Sequence, residues 1–155
     1  MDARSLIALF GEESGVPLSL GESGTIDLIF ENNITVTLEH DDAQDILHAY
    51  IVVGQEPVES TQCLALYRDM LCSNAFGHET EGATLALDER NGEILLTRRM
   101  ELADATVSQL RRIVETMVDV GVVWKEKIGT LCHQGLGGEG IPSERPASRP
   151  GGLRA

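Results

Sequence analysis

The sequence predicts an α+β domain, an antiparallel sheet with helices packed on it in the order α-β-β-β-α-β-β-α. Three observations predict it. Apolar and polar residues alternate over Thr25–Glu31, Ile34–Glu39, Ala83–Leu87 and Ile94–Thr97, the period-2 signature of strands with one face toward a core. Two longer stretches, entered at Ser60 and Thr106, carry their apolar residues at helical spacing. Neighbouring strand runs are separated by turn residues, as antiparallel hairpins are.

The elements follow in order. Asp2 or Ser5 can cap a short first helix bearing Leu6, Ile7, Leu9 and Phe10, with Gly11 or Gly15 to end it. Ile26, Leu28 and Phe30 share one face of the first strand, and Asn32-Asn33 offers a two-residue turn into the second, with Ile34, Val36 and Leu38. Ile46 to Val53 is apolar on both faces apart from His48 and Tyr50, so it reads as a buried central strand ended by Gly54. Pro57 and Ser60 introduce a helix to about Phe76. Its apolar residues, Cys63, Leu64, Leu66, Tyr67, Met70, Leu71 and Ala75, span close to half the helical circumference. A stripe that wide exceeds what one core requires, so this helix is expected to be covered a second time, in a homodimer. Gly82 to Arg99 forms the hairpin around which the domain is organised, with a turn at Asp88-Glu89-Arg90-Asn91-Gly92. Asp104 or Thr106, the latter with Gln109 at the spacing of a capping box, starts a long last helix that carries Val107, Leu110, Ile113, Val114, Met117, Val118, Gly121 and Trp124. Residues 1–128 are expected to form the domain. Residues 129–155, rich in Gly, Pro and Arg, read as a disordered tail.

Charge narrows the function. The chain has 155 residues and a formal net charge of −13, and residues 1–128 hold 9 basic against 23 acidic side chains. Such a body repels phosphate backbones and anionic membranes, and suits basic partners. Nucleic acid and membrane insertion are therefore not expected. The odd set Cys63, Cys72 and Cys132 contains no C-x-x-C pair, and the apolar run Leu6–Phe10 is too short for a signal core. A cytoplasmic protein with reduced thiols is expected.

Each chemical motif has a bland reading that fits better. Gly135-Leu136-Gly137-Gly138-Glu139-Gly140 matches G-x-G-x-x-G but follows no strand, as a dinucleotide site requires. His40, Asp41, Asp42, Asp45 and His48 lack the spacing of a zinc or calcium site. Arg98-Arg99 and Arg111-Arg112 could grip an anion but lie among many acidic residues, where ion pairing is the simpler reading. No catalytic residue, metal or cofactor is expected. What remains is apolar. Leu6, Leu9 and Phe10 with the first hairpin either close the core or form a groove for an extended polypeptide.

The run Gly82–Asp88, Asn91-Gly92 and Ile94–Arg99 resembles the second half of the Tir/CesT-type chaperones of bacterial type III secretion. Val36–Glu39 before a central strand ending in Gly54, Leu71–Phe76 before the hairpin, and a closing helix through Trp124 match as well. The likeness runs from about Leu6 to Ile128. It implies a homodimeric cytoplasmic chaperone that binds the N-terminal segments of secreted effectors, keeps them partly unfolded, and delivers them to the secretion ATPase without using nucleotide. By position, client contact falls on Leu6, Leu9, Phe10, Ile34, Val36 and Leu38. The dimer contact falls on Leu64, Leu66, Tyr67, Met70, Leu71, Leu85 and Leu87. The tail from Gly129 is similar to that of the broad-specificity export-control chaperones of plant pathogens (HpaB-like). The alternative is a regulatory interaction domain of the same fold acting on a non-secreted partner. If the first helix lines the groove, Leu9→Asp or Phe10→Asp removes client binding and leaves the dimer intact.

Overall fold

The computed structural model describes residues 1–136. Its elements are α1 (Ala3–Ser14), β1 (Thr25–Phe30), β2 (Ile34–Asp41), β3 (Ile46–Gln55), α2 (Ser60–Asn74), β4 (Thr84–Asp88), β5 (Glu93–Glu101) and α3 (Val107–Leu136). A single 3-10 turn, Ala75–Gly77, follows α2. The expected order is observed. The five strands form one antiparallel sheet in the order β1-β2-β3-β5-β4.

Local chemistry accounts for the element ends. The Asp2 carboxylate accepts a hydrogen bond from the Ser5 N–H at 3.0 Å and caps α1. Hydrogen bonds from Ser5 hold the Asp2 carboxyl below its ordinary value of 3.8. The cap is therefore fully formed above that pH, and its contribution is lost as the pH falls through the lowered value. Gly15, at φ 72°, ends the helix. Thr106 and Gln109 form the expected reciprocal box: the Thr106 N–H donates to Gln109 Oε1 at 2.9 Å, and the Gln109 N–H to Thr106 Oγ1 at 3.3 Å.

The first hairpin departs slightly from expectation and the second follows it. Phe30 pairs directly with Ile34, so the first loop has three residues, with Asn33 in the left-handed region at φ 57°. In the second, Asp88 organises the turn by accepting from the Arg90 N–H and the Asn91 side chain, and Gly92 takes the positive φ.

One face of the sheet carries the core. Leu28, Ile34, Val36, Leu38, Leu47, Ala49, Ile51, Val53, Leu85, Ile94, Leu96 and Met100 are buried there with Leu6, Ile7 and Phe10 of α1 and Leu110, Val114, Met117, Trp124 and Ile128 of α3. Burying a side chain of this size contributes about 1.5–3 kcal/mol. α3 lies closest to β3, at two glycines. A Cβ on Gly121 would stand 3.0 Å from Ile51 Cδ1, and one on Gly54 only 2.6 Å from Ile128 Cγ2.

Two expectations are corrected. β3 is central but covered on one face only, because Val52 is exposed and His48 and Tyr50 are half-buried on the other. The last helix does not stop before Gly129 but continues to Leu136, because the Trp124–Leu131 stretch still packs: Ile128 is buried and Leu131 and Cys132 lie against the core. The remaining tail, with most of the glycine motif, lies outside the described residues.

Gly11 does not end α1. It is buried within the helix, and an added Cβ would meet the Val16 carbonyl oxygen at 2.5 Å and the Leu18 nitrogen at 2.8 Å. Both are backbone atoms that no rotamer change moves aside. Gly11→Ala is expected to lower stability by about 1–3 kcal/mol despite alanine's better helix propensity. Urea denaturation checks this, with a lower midpoint at unchanged m-value.

Candidate functional site: two uncovered apolar surfaces

The first surface lies along α2 and the β4 edge. Leu66 and Met70 of α2 point into the core and are buried. Leu64 and Leu71, seven residues apart and so on one face, are 70% and 72% exposed. A groove of about 260 Å³ runs beside them, lined by Tyr67, Met70, Leu71, Asn74, Leu85, Ala86 and Leu87. Asn74 docks the helix onto the edge strand. Its amide nitrogen donates to the Leu85 carbonyl at 3.0 Å, and its oxygen accepts from the Leu85 N–H at 2.8 Å. Just beyond, Phe76 holds φ 58° with its side chain outward, the residue 95% exposed. A bulky residue in the left-handed region is strained, and here it presents an aromatic ring to solvent.

The second surface is the sheet face that no helix covers among the described residues. The register aligns Asp27, Thr37, Tyr50, Thr97 and Thr84 in one polar row across all five strands. Thr37 donates to Asp27 at 2.7 Å within that row. Next to it lies an apolar set: Ile29 opposite Thr35, and Val52 and Ala86 each opposite Leu95. Ile29 is 81% exposed. Among the described residues, β1, which carries Ile29, pairs only with β2, so its outer backbone row has no strand partner there.

The residues expected from the sequence divide between core and surface. Of the expected client residues, Leu6, Phe10, Ile34, Val36 and Leu38 are buried core and only Leu9 is exposed. The groove expected there differs from this arrangement: in the fold as described, these five side chains close the core and only Leu9 faces outward. The reason is parity: the alternation located the apolar face of the first hairpin, and that face turned toward the helices. Phe10 also lies beneath the Arg111 guanidinium, 5.5 Å from its ring centre, so Phe10→Asp would test folding and not binding. Of the expected dimer residues, Leu66, Met70 and Leu85 are also buried, Tyr67 is half-buried, and Leu64, Leu71 and Leu87 reach the surface. Sequence reasoning missed Ile29, Val52, Leu95 and Phe76. The alternation of His48, Tyr50 and Val52 against Leu47, Ala49 and Ile51 held the signal for an open face.

The titratable candidates do not converge. His40 shares the face of Leu38, and His48 lies on the opposite face. Among the described residues, no three His, Cys, Asp or Glu side chains group to hold a metal ion. The Cys63 thiol donates to the Pro57 carbonyl at 2.9 Å, and burial followed by the Glu56 charge raises its pKa. It is therefore a poor nucleophile at neutral pH.

The model of the Tir chaperone protein (CesT) family matches residues 5–125. The chain belongs to this family. The same fold occurs in a chain of the ExsC–ExsE complex, with a TM-score of 0.66 and 23% identity over 81% of this chain and 96% of that one. It occurs again in the HopA1–SchA chaperone–effector complex, at 0.64 and 23% over 79% and 91%. A third instance is the Yersinia pestis type III secretion chaperone SycH in complex with a stable fragment of YscM2, at 0.61 and 24% over 78% and 98%. A protein of Chlamydia pneumoniae is 33% identical over 70 residues, 45% of this chain, so the match spans about half, 52%, of that relative's length. Among the described residues, no helix is long and apolar enough to cross a membrane.

Asn74→Ala leaves the Leu85 backbone without both partners. At about 0.5–1.5 kcal/mol per hydrogen bond, it is expected to destabilise the domain by roughly 1–3 kcal/mol. The Leu85 amide should then exchange hydrogen faster than its β4 neighbours.

Proposed function

We propose that this chain is a homodimeric, non-enzymatic cytoplasmic chaperone that holds the N-terminal segments of type III secreted effectors partly unfolded for delivery to the secretion ATPase. The observation that carries this reading, beyond family membership, is the open sheet face, with its apolar set beside the unpaired edge of β1. An extended client adds backbone hydrogen bonds along β1 with an apolar side chain beside Ile29, and the segment next to it crosses the open face over Val52. The client's ordering offsets part of the gain, about 2–5 kcal/mol. The acidic body, with 23 acidic against 9 basic residues up to Ile128, favours basic client segments and keeps the complex soluble.

The α2 surface is the proposed dimer contact. Leu64, Leu71, Phe76 and Leu87 are apolar and exposed, and Leu71 and Leu87 line one groove, the kind of surface that a self-complementary two-fold contact covers. Residues 1–136 then act as the chaperone body, with the tail beyond it.

Two variants separate the surfaces. Ile29→Asp combined with Val52→Asp is expected to weaken capture of an effector's N-terminal segment at least tenfold while light scattering still finds a dimer. Normal capture by this double variant would exclude the open face as the client site. Phe76→Gly relieves the left-handed strain, which is about 1–2 kcal/mol for a residue with a side chain, and removes the exposed ring. It is expected to raise the dimer dissociation constant at least tenfold while the monomer melts no lower than the parent. An unchanged dimer constant would place the subunit contact elsewhere.

A further inference from the structure

The two arginine pairs noted in the sequence separate in the fold. Arg99 pairs with Glu101 at 3.1 Å and Arg111 with Glu13 at 2.9 Å. Arg98 and Arg112 meet no carboxylate among the described residues, and both line one cleft of about 490 Å³. β5 from Arg98 to Glu101, Glu81 before β4, and the first turns of α3 form its walls. Arg98 is held in place: its Nη1 donates to the Glu81 carbonyl at 2.8 Å, and the guanidinium packs over Gly82. Glu81 and Gly82 both adopt positive φ, 51° and 82°, to make this contact. A guanidinium has five N–H donors, and the Glu81 carbonyl is the only acceptor that Arg98 meets among the described residues.

In a body so rich in carboxylates, two neighbouring guanidinium groups without a carboxylate partner are a site awaiting one. We propose that Arg98 and Arg112 grip a carboxylate side chain from a short segment of a protein partner, at a place distinct from the open sheet face. Guanidinium and carboxylate match in charge and in fork geometry. Glu101 is already engaged by Arg99, while Glu81 and Asp104 line the same cleft with negative charge. They repel a run of acidic residues, so the segment that fits carries a single acidic residue. Met100, Ala103 and Ile113 line the cleft as well and accept an apolar neighbour of that residue.

The test uses the full chain and a capped peptide, Ala-Leu-Glu-Leu-Ala, against its Gln counterpart, by calorimetry and side-chain NMR at low salt. The Glu peptide is expected to bind at least tenfold tighter than the Gln peptide, and Arg112→Gln to erase the difference. Arg112 is exposed on α3, so this variant leaves the Arg98–Glu81 contact in place, which Arg98→Gln would remove. Equal binding of the two peptides, or a preference that survives Arg112→Gln, overturns the proposal. Inorganic phosphate that displaces the Glu peptide at equal concentration also overturns it, by making the cleft a small-anion site.

Discussion

The close contact between α3 and β3 is the constraint on which the rest depends. Gly54 and Gly121 omit side chains where helix and strand meet, and Ile51 and Ile128 occupy the space. This lets a 30-residue helix lie against the middle of a five-stranded sheet. Trp124, Met117 and Val114 then reach the strands, and α1 is held between the helix and the first hairpin. Interiors pack at crystal-like density, so a methyl group at either glycine would be felt across the whole layer.

Among the described residues the helices pack on one side of the sheet, and the opposite side presents its own side chains. A sheet so exposed would normally be polar throughout. Here a polar row of threonines, Tyr50 and Asp27 is followed by Ile29, Val52 and Leu95, a composition that suits a reversible occupant better than permanent solvent. The α2 side differs. It is held by the Asn74 clamp and ends in an exposed aromatic ring, so it is docked and apolar. Two surfaces of such different character can serve two partners without competing.

Much of the fold was legible in the sequence. Alternation located the strands, and Asp2, Gly15 and the Thr106–Gln109 pair marked helix ends through hydrogen bonds that depend on local sequence alone. The site was less legible. Period-2 alternation tells which residues share a face, but the direction in which that face turns depends on where the helices land, which is tertiary. Leu6, Ile34, Val36 and Leu38 were thus assigned to a groove and belong to the core. Ile128 and Leu131 kept α3 going past Gly129 by packing, which outweighs the weak helix propensity of one glycine. For Phe76, the positive φ comes from the turn that joins α2 to β4, and no local pattern announces it.

The clamp on β4 bears on how the molecule behaves in a crowd of its own kind. Edge strands are templates for polymerisation, and two free edges on one sheet would let chains stack end to end without limit. Asn74 occupies the backbone of Leu85 on one edge with a side chain that no incoming strand can extend. Among the described residues, the β1 edge is left with the longer unpaired backbone row. A sheet with its other edge interrupted in this way pairs readily on one side only. A strand that docks on β1 is thereby hindered from seeding growth through β4.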